Sequence, residues 1–223
     1  MRRVIRDTAD GSKTIFVEAL DEHYHSIHGA LAESRHVFIQ SGLDAIKSET
    51  IAILEIGFGT GLNAITTLER NETLNKNIDY TGVEAFPVST SDFSQLKYSN
   101  LELRESVLPY LDKIHKTNWE VFQEITPRFQ LKKVEKKFQD IHDIEAFDLI
   151  YFDAFAPTVQ PELWTEAIFE KMYSALKLNG ILVTYCAKGQ VKRNMKAAGF
   201  TIERLPGPPG KREMTRATKP VSV

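Results

Sequence analysis

A chain of 223 residues and 25.3 kDa suffices for one sizeable core and falls short of two full enzyme domains. At 42% hydrophobic and 26% charged the composition is globular, and no apolar run reaches the roughly 18 residues of a membrane-spanning helix. The net charge of −2 divides unevenly: residues 186–223 hold nine Lys/Arg against two Glu, leaving +7 there and −9 on the rest, which suits a polyanionic partner or a solvated basic surface.

The first residues, Met1-Arg2-Arg3-Val4-Ile5-Arg6-Asp7, lack the apolar stretch of a secretory signal, so a cytoplasmic protein is expected. Residues 1–48 form a first block, with one apolar run (Thr14-Ile15-Phe16-Val17) and a helix-like segment over 30–41. From residue 49 to 223 short apolar runs alternate with helical stretches. Strands are predicted over 51–56, 79–84, 129–135, 147–152, 180–185, 200–204 and 213–217, and helices over 61–69, 89–97, 105–116, 161–176 and 191–198. Cys186, the single cysteine, makes neither an internal disulfide nor a cysteine zinc site.

Strand–helix alternation with near-continuous apolar strands predicts an α/β fold around a mostly parallel sheet. The last two strands are joined by only eight residues, five of them Pro or Gly, too few for a helical crossover. They are expected as an antiparallel hairpin at the sheet edge. A Rossmann-like seven-stranded sheet with its last strand antiparallel and helices on both faces is the class I methyltransferase topology.

Between the first strand and helix stands Glu55-Ile56-Gly57-Phe58-Gly59-Thr60-Gly61-Leu62-Asn63. Alternate glycines allow a tight turn with no side chain against a ligand, and the helix start offers free N–H groups. Dinucleotide sites use the wider G-x-G-x-x-G spacing under a pyrophosphate. Here the spacing is shorter and Glu55 precedes it, which suits a cationic ligand such as S-adenosylmethionine. Glu84, ending the second strand, is placed to accept the hydroxyls of a ribose. Glu135 and Asp140 are alternative contacts to an adenine edge.

Asp153 follows the most apolar strand, in Tyr151-Phe152-Asp153-Ala154-Phe155-Ala156-Pro157, and belongs at the same sheet edge as the glycine turn. A carboxylate there can orient an acceptor amine and take its proton. The alternative is a helix-capping Asp. Phe155 offers a wall for a planar base, and Pro157 stiffens the loop. Trp164, beside Pro161 at the start of a helix, reads as core. Lys188, Lys192, Arg193, Lys196, Lys211, Arg212 and Arg216 form a basic end that can bind phosphates, or an internal charge network around Lys211-Arg212-Glu213. His23, His25 and His28 lack the companions of a metal site, and no metal is expected.

These motifs, with Glu84-Ala85-Phe86-Pro87, Pro161-Glu162-Leu163-Trp164, Gly207-Pro208-Pro209-Gly210-Lys211-Arg212-Glu213-Met214 and the opening segment 28–38, resemble the methyltransferase domain of the bifunctional tRNA-modifying MnmC family. The resemblance implies methylation, with S-adenosyl-L-methionine, of the aminomethyl group on a wobble uridine in the tRNA anticodon stem-loop, with or without 2-thiolation. It implies that Glu55, Gly57, Gly59, Gly61 and Asn63 line the cofactor's methionine end and that Glu84 holds the ribose. Asp153 would face the acceptor, with Phe155, Pro157, Lys211 and Arg212 on the substrate side. The block 1–48, through residues 24–35 with Tyr24 and Glu33, would form a lid over the cofactor. Family members carry a flavin domain that frees the amine. This sequence shows no second glycine-rich nucleotide turn, so a separate enzyme is expected to supply the aminomethyl substrate. Rival readings are a spermidine-synthase-like aminopropyltransferase, a small-molecule amine methyltransferase, and a non-catalytic nucleotide- or RNA-binding protein.

Overall fold

The computed structural model describes residues 3–7, 13–18, 21–23, 29–94 and 102–221. In chain order the elements are β1 (Arg3–Asp7), β2 (Lys13–Val17), β3 (Glu22–His23), α1 (Ala30–Ser34), β4 (Thr50–Ile56), α2 (Leu62–Leu74), β5 (Asn77–Glu84) and α3 (Thr90–Ser94). There follow α4 (Leu108–Lys116), β6 (Gln123–Thr126), β7 (Phe129–Glu135), β8 (Phe147–Phe152), α5 (Glu166–Ala175), β9 (Leu176–Thr184), α6 (Gly189–Ala197), β10 (Thr201–Pro206) and β11 (Glu213–Thr218).

An eight-stranded sheet runs β10-β11-β9-β8-β4-β5-β7-β6, beside a small sheet β1-β2-β3. β5, β4, β8, β9 and β7 pair in parallel, while β11 is antiparallel to both β9 and β10. Six strands therefore point one way and the last is reversed, which is the class I methyltransferase arrangement the short Pro/Gly connection predicts. The eighth strand, β6, adds to the expected seven. It pairs antiparallel with β7 across a register shift. Its four residues, Gln123-Glu124-Ile125-Thr126, hold one buried apolar side chain, so no apolar run marks it.

Alternation along the strands divides the core. Ile51, Ile53, Leu149, Tyr151, Ile181 and Val183 face α2, α4 and the N-terminal segment; Leu54, Ile56, Ile150, Phe152 and Leu182 face α5 and α6. The predicted helix over 30–41 is α1 continued by a π-helical stretch, Arg35–Gln40, and it buries Leu31, Val37, Phe38 and Ile39 in the sheet's own core. Two further boundaries differ. The predicted helix over 161–176 is a 3-10 turn, Pro161–Trp164, then an extended Thr165, then α5; and β9 starts at Leu176, not 180. Of the helix predicted over 89–97, Thr90–Ser94 forms, and residues 95–97 lie outside the described residues.

The register sets Ile56 opposite both Val83 and Phe152. The carboxyl ends of three neighbouring strands, and with them Gly57, Glu84 and Asp153, therefore share one edge.

Candidate active site

The glycine turn is built onto its neighbours. The N–H groups of Gly57 and Phe58 both donate to Val83 O at 3.0 Å, and Asp153 N donates to Ile56 O at 2.9 Å. Gly57 has φ +90°, and a Cβ there would stand 2.6 Å from Asp153 O, so glycine alone fits. From the other side His115 Nε2 lies 2.7 Å from Thr60 O. Burial pushes the His115 imidazole down to about 4, so at neutral pH it is uncharged and its Nε2–H donates to the turn.

The acids stand at different depths. Glu55 is fully buried, with Oε1 accepting from Asn63 Nδ2 and Oε2 from Tyr80 Oη, each at 2.8 Å. Burial pushes its carboxyl well above the usual range, the donor Asn63 opposes this, and the charge of Asp153 adds to it. Asp153 is half-buried and accepts a second 2.8 Å bond from Asn63 Nδ2 on Oδ2. Burial raises its carboxyl to about 7; Asn63 lowers it, Glu33 raises it and Lys211 lowers it by smaller amounts. Glu84 accepts from Gly59 N at 3.0 Å on one oxygen and Phe86 N at 2.9 Å on the other.

A cavity of about 730 Å³ opens over this edge. Of the predicted site residues, Glu33, Gly57, Gly59, Asn63, Glu84, Asp153, Phe155 and Lys211 line it. Glu55 lies beneath it, because strand alternation turns that side chain under α2 toward Tyr80. Gly61 is buried behind the turn, where a Cβ would meet Ile114 and Phe58. Pro157 and Arg212 are not lining residues. Glu135 and Asp140 are exposed and outside the cavity; Lys137, Phe138 and Gln139, between them in sequence, line it instead. Tyr24, His25, His28 and the side chain of His23 lie outside the described residues. Among the described residues no three His, Cys, Asp or Glu are grouped to hold a metal ion, and no helix is long and apolar enough to cross a membrane.

Sequence reasoning passed over Phe86, Phe138, Gln139 and Tyr185, which also line the cavity. Phe86 carried a signal, since it stands two residues after Glu84, the acid that ends β5, and the structure leaves it 50% exposed. Tyr185 Oη donates to Ala154 O and Trp164 Nε1 to Phe155 O, both at 2.8 Å, so the loop after β8 is pinned from two sides. Trp164 is core, as read, and an anchor as well.

Lys211 turns inward. Its Nζ donates to Glu33 at 2.8 Å and lies 4.0 Å from the centre of the Tyr185 ring. Lys192 pairs with Glu213 at 3.4 Å and Arg216 with Glu203 at 2.6 Å, so part of the basic end is the internal charge network. Lys188, Arg193, Lys196 and Arg212 are exposed.

The donor set suits a nucleoside with a cationic tail. A carboxylate oxygen takes more than one donor, so Glu84, already squared by two backbone N–H groups, can accept ribose hydroxyls. Acids on the lining, Glu33, Glu84 and Asp153 among them, oppose a pyrophosphate and favour a positive centre.

The model of a family described as S-adenosyl-L-methionine-dependent methyltransferase matches residues 101–220. The chain is 29% identical over 212 residues to the tRNA 5-methylaminomethyl-2-thiouridine biosynthesis bifunctional protein MnmC of Cupriavidus metallidurans, covering 88% of this chain and 31% of that protein. It is 30% identical over 217 residues to the protein of the same name from Leptospira borgpetersenii, covering 88% and 32%. It thus spans about a third of the length of these relatives. The crystal structure of MNMC2 from Aquifex aeolicus superposes with a TM-score of 0.79 at 25% identity, over 99% of this chain and 73% of that one. Spermidine synthase from Thermotoga maritima, at 14% identity and a TM-score of 0.54 over 100% and 73%, shares the fold.

Proposed function

The chain belongs to the S-adenosyl-L-methionine-dependent methyltransferase family, and from that premise we propose that it methylates the aminomethyl nitrogen on a tRNA wobble uridine, giving the methylaminomethyl form. The observation that carries the acceptor chemistry is Asp153: a carboxylate at a strand end, lining the cavity, backed by the glycine turn and raised to about 7.

S-adenosyl-L-methionine, when bound, supplies a methyl group on a cationic sulfur. Glu84 would hold the ribose hydroxyls, the backbone of residues 57–60 would serve the methionine end, and Phe86 and Phe138 would offer apolar surface to the adenine. From the described part of the N-terminal block, Glu22, Ala30, Glu33, Ser34 and Phe38 line the cavity.

An aminomethyl group is largely an ammonium at neutral pH and must attack as the free amine. Asp153, ionised, accepts a hydrogen bond from N–H and takes one proton, leaving the lone pair for the methyl carbon. As the N–C bond forms, the C–S bond would break with its electron pair going to sulfur, S-adenosylhomocysteine would leave neutral, and the product nitrogen would take up the positive charge until it loses a second proton. A carboxyl near 7 is matched to this work, since it is part ionised and still basic enough to hold the proton. Phe155 and Tyr185 offer aromatic faces to a flipped uracil. The exposed cations of α6 and Arg212 meet the backbone phosphates of the anticodon stem-loop. A tRNA substrate would place the reaction in the cytoplasm.

One observation favours a second reading. Glu22, Glu33 and Glu162 join Asp153 on the cavity's lining, which also suits a polyamine and hence aminopropyl or small-amine chemistry. Incubation with methyl-labelled S-adenosylmethionine and either aminomethyl-bearing tRNA or putrescine separates them. Label in tRNA supports the first reading, and label in the diamine supports amine methylation. Aminopropylation needs the decarboxylated cofactor. A calorimetric titration with S-adenosylhomocysteine that gives no heat would instead favour a non-catalytic binder.

A further inference from the structure

Asn63 is the second residue of α2, directly after the glycine turn, and is 4% exposed. Its amide has two N–H donors and one acceptor oxygen. Nδ2 donates to Glu55 Oε1 and to Asp153 Oδ2, each at 2.8 Å. Oδ1 accepts from Ser34 Oγ at 2.7 Å, and Ser34 Oγ lies 2.8 Å from Thr66 Oγ1. Ser34 is 2% exposed. A flipped amide would aim its oxygen at two carboxylates and would lose the hydrogen bond that Ser34 Oγ donates to Oδ1. One orientation is therefore dictated, and the hydroxyl that dictates it comes from the N-terminal segment.

We propose that Asn63 is a positioning residue for the acceptor base, fixing Asp153 above Glu55 with one amide whose orientation Ser34 sets, rather than a contact to the cofactor. The proposal rests on the reading of Asp153 as the group that takes the acceptor proton. An amide does not titrate near neutrality, so Asn63 separates the two acids and passes no proton between them. Its N–H favours the ionised form of Asp153. Without it, two carboxyls face each other in a poorly solvated place and Asp153 holds its proton more tightly. The other titratable groups toward Asp153 are Glu33 of α1, Glu55 of β4, Tyr80 of β5, Tyr185 after β9 and Lys211 before β11.

The test is a ¹³C-carboxyl NMR titration of the cofactor-free protein, with Asp153→Asn assigning the resonance, beside the pH profile of methyl transfer. In Asn63→Leu the Asp153 midpoint and the acidic limb of the profile should both rise by about one pH unit. Affinity for S-adenosylhomocysteine should stay within about threefold. Ser34→Ala, which keeps the core packing, should move both the same way by less. Midpoints unmoved in both variants, with cofactor affinity lost in Asn63→Leu, would overturn the proposal and make Asn63 a cofactor contact. Wild-type transfer by Asp153→Asn would overturn the underlying reading and the proposal with it. A large loss in Asp153→Asn together with unmoved midpoints in the other two overturns the proposal alone.

Discussion

The carbonyl oxygen of Asp153 occupies the space a side chain on Gly57 would need, 2.6 Å from where its Cβ would sit. The turn that lines one wall of the cavity and the loop that carries the acid are thus one packed unit, and neither can shift without the other. Gly57→Ala adds a strained positive φ to this overlap, each such strain costing about 1–3 kcal/mol. The expected result is a lower thermal midpoint and at least a roughly tenfold loss of S-adenosylhomocysteine affinity, a loss of about 1.4 kcal/mol, read by calorimetry.

Asp153→Asn keeps the shape and removes the base. Transfer should fall by about 10²–10⁴-fold while S-adenosylhomocysteine still binds. In the unaltered protein the rate should climb with pH up to about 7 and level off above it, because only ionised Asp153 takes the acceptor proton. A flat profile from pH 5 to 8 would remove Asp153 from that role.

The same carboxyl leaves a mark on stability. Its folded value is raised from 3.8 to about 7, so the stabilisation from its proton is complete below 3.8 and disappears as pH rises through 7. His115 works the other way: lowered from 6.5 to about 4, it stabilises fully above 6.5 and loses this as pH falls through 4. The two offset each other in the parent protein. The difference in thermal midpoint between parent and Asp153→Asn isolates the first, and should move in the parent's favour as pH falls from 7 to 4.

Lys211 and Glu33 hold Asp153 between opposite charges. Removing one should shift the acidic limb of the rate profile one way and removing the other should shift it back. Lys211→Met is expected to raise it, Glu33→Gln to lower it, and the double variant to lie between. Equal shifts in one direction would mean that the pair acts through shape alone.

The exposed cations of α6 give a separate test. Changing Arg193 and Lys196, together with Lys188 just before the helix, to Glu should weaken tRNA binding most at low salt. The slope of log affinity against log salt should flatten by about one for each cation that had met a phosphate. An unchanged slope would place the tRNA elsewhere.

Much of this site was legible in the amino-acid order alone. Parallel strands buried on both faces leave apolar runs, so the residue after each run marks the sheet's carboxyl edge; Gly57, Glu84 and Asp153 could be brought together on that rule alone. What stayed hidden depended on partners distant in sequence. Alternation along β4 turns Glu55 under α2, yet its donor Tyr80 sits on the next strand. In the sequence Lys211 reads as a phosphate contact or as part of a network with Arg212 and Glu213, whereas its partner Glu33 is 178 residues away. The segment 137–139 reaches the cavity through a short 3-10 turn, so the acids at 135 and 140 bracket the lining stretch while standing outside the cavity themselves. β6 is too short and too polar to announce itself.

The most direct test is nucleoside mass spectrometry of aminomethyl-bearing tRNA after incubation with the protein and methyl-deuterated S-adenosylmethionine. One deuterated methyl on the aminomethyl nitrogen of the wobble uridine, absent with Asp153→Asn, is the predicted result. An unlabelled wobble nucleoside under saturating cofactor, or label equally present with Asp153→Asn, would contradict the account.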